Sequence, residues 1–164
     1  MTRTLFVFFI VLCFFTACND DSTASKEDSP MQKNLAASHI VNKAFETGDA
    51  SQIDSAVASD FVDHTDRGDV GRDSLKAFIS SMKKDFPDMK MEVIKELADS
   101  EYVFSLMRFT GTSNGTMGMP KGPYDMKTLE VVRYKDGKAA EHWAYMDAAA
   151  MAKMMGQAPD STRK

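Results

Sequence analysis

The chain has 164 residues, which favours a single domain. With 43% hydrophobic and 27% charged residues it is not a disordered chain. A formal net charge of −4, with the Lys and Arg residues scattered, argues against a nucleic-acid partner, because phosphate binding needs clustered basic groups.

The N-terminus opens with Arg3 and an unbroken apolar run of 11 residues, Leu5 to Phe15. A membrane-spanning helix needs about 20 apolar residues, so this run fits the core of a secretory signal instead. Thr16 and Ala17 are small, and Cys18 follows. The stretch resembles a lipoprotein signal, in which such a cysteine is acylated and becomes the new N-terminus. Residues 1–17 are therefore expected to be a leader and Cys18 a lipid anchor that holds an exported protein to a bacterial cell envelope. Cys13 would leave with the leader, so the mature domain would have no free thiol, no disulfide and no cysteine-based metal site. Its stability must then come from an apolar core.

From Cys18 to Gln32 the chain is polar and reads as a flexible tether. The folded part is expected over residues 33–157. Ala37, Ile40, Val41 and Ala44 recur at helical spacing and predict an amphipathic first helix, stopped by Gly48. Asp49 is placed to cap a second helix carrying Ile53 and Val57. An extended stretch runs from Phe61 to Thr65, and Asp66 to Gly71 reads as a loop. Leu75, Phe78, Ile79 and Met82 predict a third helix that Phe86-Pro87 ends. Beyond Pro87 the pattern turns strand-like. One strand carries Met91 and Val93, a second spans Glu101 to Gly111, and a third spans Met126 to Tyr134. Asp136-Gly137 is a strong hairpin signal and predicts a return strand from Lys138 to Tyr145. A short helix, Ala148 to Met155, closes the domain, and residues 158–164 read as a disordered tail. Helices followed by an antiparallel meander predict an α+β fold, with the helices on one face of a curved sheet and a pocket between the layers.

The residues able to do chemistry gather in two places, Asp63-His64-Thr65 and the last strand from Glu141 to Asp147. In a regular strand Trp143, Tyr145 and Asp147 share one face, and His142 lies on the other with Ala144 and Met146. Asp147 has two readings: an acid at the pocket, or the N-cap of the closing helix. His142 is either a hydrogen-bonded structural residue or a proton-transfer group, and His64 either a turn residue or a pocket group. Arg108, a charge inside an apolar strand, is either a ligand contact or a cross-strand partner of Glu130 or Glu141. His39 reads as solvated. Most of the 13 methionines read as core filling, but Met117 and Met119 lie in a loop and are placed to line a pocket mouth. The three histidines show no metal-ligand spacing, and no Gly-x-Ser-x-Gly nucleophile motif is present.

Four segments together resemble the SnoaL-like polyketide cyclase, or ester cyclase, branch of the nuclear transport factor 2-like superfamily. They are Phe61-Val62-Asp63-His64-Thr65, Gly71-Arg72 opening a helix through Phe78, Phe86-Pro87-Asp88 before an apolar strand, and the hairpin from Asp136 that leads to Glu141-His142-Trp143 and Asp147. The resemblance covers residues 34–156. It implies a cone-shaped α+β barrel, often dimeric, that closes a polyketide ring by aldol condensation without cofactor or metal. It also implies an acid/base group: Asp147 or His142, with His64 nearby. Trp143, Tyr145, Arg108 and Met119 are the expected substrate contacts. The ligand is expected to be a small apolar carbonyl compound. The alternative is a noncatalytic, lipid-anchored protein that binds a small apolar ligand or a partner protein. A homodimer through the outer sheet face is expected from the apolar richness of Tyr102 to Phe109, since only one face of that strand can line the pocket.

Overall fold

The computed structural model describes residues 29–156. The expected leader, the Cys18 anchor, the tether up to residue 28 and the C-terminal tail lie outside the described residues. No helix among those described is long and apolar enough to cross a membrane.

Helix α1 spans Pro30–Thr47 and begins inside the segment read as tether. The reason is local: Ser29 accepts a hydrogen bond from the Gln32 amide, and Pro30 occupies a first-turn position where its missing N–H costs nothing. Gly48 ends the helix in the left-handed conformation at φ 73°, which glycine adopts without strain. The second helix is one turn, α2 (Ile53–Ala56), and Asp49 accepts from the Ser51 amide in a local turn rather than capping it. Val57 already belongs to strand β1 (Val57–Thr65). The stretch read as a loop is a tight turn followed by a short strand β2 (Gly68–Gly71), paired antiparallel to β1. Helix α3 covers Arg72–Asp85.

The meander then follows as expected: β3 (Lys90–Ala98), β4 (Tyr102–Ser113), β5 (Gly122–Lys135) and β6 (Lys138–Tyr145), with α4 (Ala148–Met154) last. Asp136 at φ 53° and Gly137 at φ 74° make the two-residue turn between β5 and β6, whose positive φ values match the right-handed strand twist. The six strands form one sheet in the order β2-β1-β6-β5-β4-β3. All neighbours are antiparallel except β1 and β6, which run parallel, so β1 lies against the last strand of the meander.

The helices close over one face. Ala37 and Ala44 of α1 pack with Ile53, Ala56, Val57, Ile79, Val103, Tyr134 and Ala139 in the main core. The two alanines let the helix axis approach the sheet. Fully burying a side chain of the size of Ile53 or Ile79 contributes roughly 1.5–3 kcal/mol. A second cluster, Met82, Phe86, Met89 and Met119, fills the other end of the layer. Between the two the sheet and helices leave a cavity.

Candidate functional site

The cavity measures about 340 Å³, within the range of small-molecule sites. Its wall is built by strand alternation. Ser105, Met107 and Phe109 of β4 face inward, opposite Glu130, Thr128 and Met126 of β5. Val132 of β5 pairs with His142 of β6, and Glu130 with Ala144. A bulge sits between the pairs Tyr134–Ala139 and Arg133–Glu141. The extra residue, Ala140, shifts the parity of β6, so Ala139 and His142 both line the cavity. Much of the remaining wall is methionine and phenylalanine, with Met117 and Met119 among them, and Ser38, Val41 and Asn42 of α1 also contribute.

His142 is the charged centre of this wall. Parallel pairing of β1 with β6 sets Asp63 beside it, and the His142 Nδ1 lies 2.8 Å from Asp63 Oδ1. The Nε2 lies 2.7 Å from Glu130 Oε2. Thr128 Oγ1 donates to the other oxygen of Glu130. Burial opposes charge on the ring, but the hydrogen bonds and negative charges of Asp63 and Glu130 outweigh it and push the imidazole up to about 9. His142 is therefore an imidazolium at neutral pH and donates from both nitrogens. A second polar group in the wall is Tyr124, whose hydroxyl is buried without a hydrogen-bond partner and whose phenol burial pushes up to about 12. It stays neutral near pH 7.

The other expected site residues lie elsewhere. Asp147 is not in the cavity wall. It is exposed, and its Oδ1 accepts from the amides of Ala149 and Ala150, each at 3.0 Å, so it is the N-cap of α4. Of its two readings, the geometry realises the cap. Asp147→Ala is expected to cost about 1 kcal/mol or less of stability, as for other helix caps, and to leave cavity chemistry intact. Thermal unfolding and turnover of this variant check both halves.

Trp143 and Tyr145 face outward, opposite Val131 and Leu129, because the cavity takes the even positions of β6. The expectation that they contact a ligand in the pocket is corrected accordingly. His64 also points outward. It stacks on Trp143, with ring centroids 4.8 Å apart, and its nitrogens lie 3.0 Å from Asp69 and 3.2 Å from Glu141. The hydrogen bond to Glu141 raises the His64 pKa most; partial burial opposes this and Asp69 adds to it. Glu141 in turn is held below the usual carboxylate range by its hydrogen bonds from Arg133 and His64. Arg108 sits on the outer face too. It makes a bidentate pair with Asp125, at 2.9 and 2.7 Å, and not with Glu130 or Glu141. Of the four expected ligand contacts only Met119 lines the cavity.

Two residues of the His142 cluster are not among the expected site residues: Asp63 beside the cavity and Glu130 in its wall. Asp63 stood next to the favoured His64, and only the β1–β6 pairing, which joins residues 79 positions apart, turns it toward His142. Glu130 was legible as an acid between Leu129 and Val131, but nothing local says which face it takes. Among the described residues no group of three or more His, Cys, Asp or Glu side chains is arranged to hold a metal ion.

Comparison with known proteins agrees with this architecture. The family model for SnoaL-like polyketide cyclases matches residues 36–155. A search of curated proteins returns no match. Among solved structures the chain is similar to AclR, a candidate hydroxylase of Streptomyces galilaeus, at 26% identity and a TM-score of 0.64, over 81% of this chain and 87% of that one. It is similar to a candidate polyketide cyclase from Bacillus cereus at 25% identity and a TM-score of 0.62, over 76% and 81% of the two chains. A SnoaL-like protein from Jannaschia sp. shares the fold at 18% identity and a TM-score of 0.65, over 79% and 97%. The chain belongs to the SnoaL-like polyketide cyclase family, on a nuclear transport factor 2-like α+β fold.

Proposed function

We propose that the domain is a cofactor-free acid/base catalyst that acts on a small apolar carbonyl compound, as a cyclase or isomerase. The observation that carries this reading is His142 with both ring nitrogens at hydrogen-bond distance from carboxylates, Asp63 and Glu130, in the wall of a mostly apolar cavity. Glu130 accepts the proton from the carbon next to the carbonyl. Once Glu130 has taken that proton it no longer holds the Nε2–H as a carboxylate, and the Nε2–H is released to the developing enolate oxygen, whose charge it stabilises in a mostly apolar wall. Asp63 holds the ring orientation through Nδ1. The proton on Glu130 then returns, either to a second carbon, which gives isomerisation, or to the acceptor oxygen after a new C–C bond forms, which gives ring closure.

Turnover of a panel of β-keto esters, wild type against Glu130→Gln, tests the reading. Loss of turnover in the variant is expected, and no turnover by wild type across the panel would contradict catalysis. One observation favours noncatalytic binding instead: both His142 nitrogens are already engaged, so an apolar ligand fits without finding an unpaired charge. Binding of the same esters without turnover is the result that reading predicts.

Assembly and location complete the proposal. The outer sheet face exposes Phe104, Leu129 and Tyr145 beside Leu97, and a homodimer through this face would cover them. Light scattering is expected to give twice the chain mass, and a monomer at high micromolar concentration contradicts the dimer. The Cys18 anchor is carried by the leader sequence, and Cys18→Ala is expected to shift the protein out of the membrane fraction or leave it unprocessed.

A further inference from the structure

A second cavity, of about 450 Å³, adjoins the first. The two share Leu75, Phe78 and Met117 as a common wall. Both linings are largely apolar, but only the outer one carries charged side chains other than the His142 cluster. The inner cavity is mostly apolar, with Ser38, Asn42, Tyr124 and the His142 end as its polar parts. Beside the shared residues and Val70, the outer one carries Asp63, Thr65, Asp66, Arg67 and Ser74.

Met117 is the part of the wall that can give way. It is 52% exposed, it belongs to the loop between β4 and β5, and it holds a left-handed backbone at φ 56° that non-glycine residues seldom adopt. Such strain persists at ligand clamps more often than elsewhere. The methionine side chain is unbranched with three rotatable bonds, so it can swing without moving the backbone. Leu75 and Phe78, by contrast, are fixed on α3.

We propose that the two cavities are one two-part binding site divided by Met117, and that its ligand is amphipathic: an apolar body in the inner cavity and an uncharged, hydrogen-bonding end in the outer one. This rests on the inner cavity being the ligand pocket, and it names the ligand class for that pocket. The end group follows from the outer wall. Asp63 is committed to His142. The remaining charges are one carboxylate, Asp66, and one guanidinium, Arg67, so a fully charged end group of either sign meets a like charge. Hydroxyl or amide groups, which donate and accept, suit Asp66, Arg67 and the Ser74 hydroxyl together.

The test uses the fluorescence of N-phenyl-1-naphthylamine, a neutral apolar probe, in the full chain. Octyl glucoside, n-octanol, octanoate and octylamine then compete for it below their micellar concentrations. Octyl glucoside is expected to displace the probe at concentrations at least fivefold lower than n-octanol, with octanoate and octylamine no better than n-octanol. Arg67→Ala combined with Ser74→Ala, both remote from the main core, is expected to shrink the glucoside advantage below twofold and leave n-octanol unchanged. Equal displacement by glucoside and octanol overturns the two-part site, as does an equal loss for both in the double variant. A fivefold advantage for octanoate or octylamine overturns the uncharged end group. Failure of the probe to bind at all overturns the pocket reading itself, and with it this one.

Discussion

His142→Leu is expected to destabilise the domain by about 3 kcal/mol at pH 7 and to abolish proton-transfer turnover. The substitution keeps apolar bulk in the cavity wall but leaves Asp63 and Glu130, both about four-fifths buried, without the cation between them. Two partly desolvated carboxylates that lose their shared partner cost more than the loss of either hydrogen bond alone. Urea unfolding at pH 7, read at its midpoint, measures the change. A triple variant, Asp63→Asn with Glu130→Gln and His142→Leu, carries no buried charge and is expected to recover most of the lost stability. Should His142→Leu unfold at the wild-type midpoint, the two carboxylates are not held by the ring.

The pH dependence of stability is the second large effect, and its sign follows from the direction of the shift. The folded-state pKa of His142 is about 9, above the ordinary histidine value of 6.5. The folded state therefore binds the proton more tightly than the unfolded chain. The resulting stabilisation is fully present below pH 6.5 and is lost as pH rises through 9. The ring is 23% exposed, so the linkage is mostly unscreened, and it amounts to at most roughly 3 kcal/mol between pH 6 and pH 10. Urea midpoints across that range, wild type minus His142→Leu, isolate this group from the lysines and tyrosines that titrate nearby. The difference is expected to fall toward zero at high pH. A difference that is flat with pH, or that grows as pH rises, contradicts the assignment.

Much of this fold was readable because its signals are local. The spacing of Ala37, Ile40, Val41 and Ala44, the stop at Phe86-Pro87 and the Asp136-Gly137 turn each act within a few residues, and each element they predict is present. The parallel pairing of β1 with β6 has no such signature, since no turn joins the strands. It was therefore invisible, and with it the approach of Asp63 to His142. The facing of β6 was lost for a related reason. The sheet is apolar on both sides, with Met107 inward and Phe104 outward on β4, so alternation alone does not say which set meets the cavity. Trp143 and Tyr145 look like pocket residues by type, yet they lie beside Val131 and Leu129 on the outer face. Asp147 was ambiguous because a carboxylate at a strand end before an alanine run fits a cap as well as a site, and the amides of Ala149 and Ala150 decide it.

The protonation of His142 is what the account depends on most, because the acid/base chemistry and the pH dependence both require an imidazolium in the cavity. Two-dimensional ¹H–¹⁵N NMR of the ring nitrogens in the full chain, titrated from pH 6 to pH 10, reads it directly. His142 is expected to carry protons on both Nδ1 and Nε2 at pH 7.5 and to titrate with an apparent pKa of about 9. A neutral ring at pH 7.5, or titration at or below the ordinary histidine value, would contradict it.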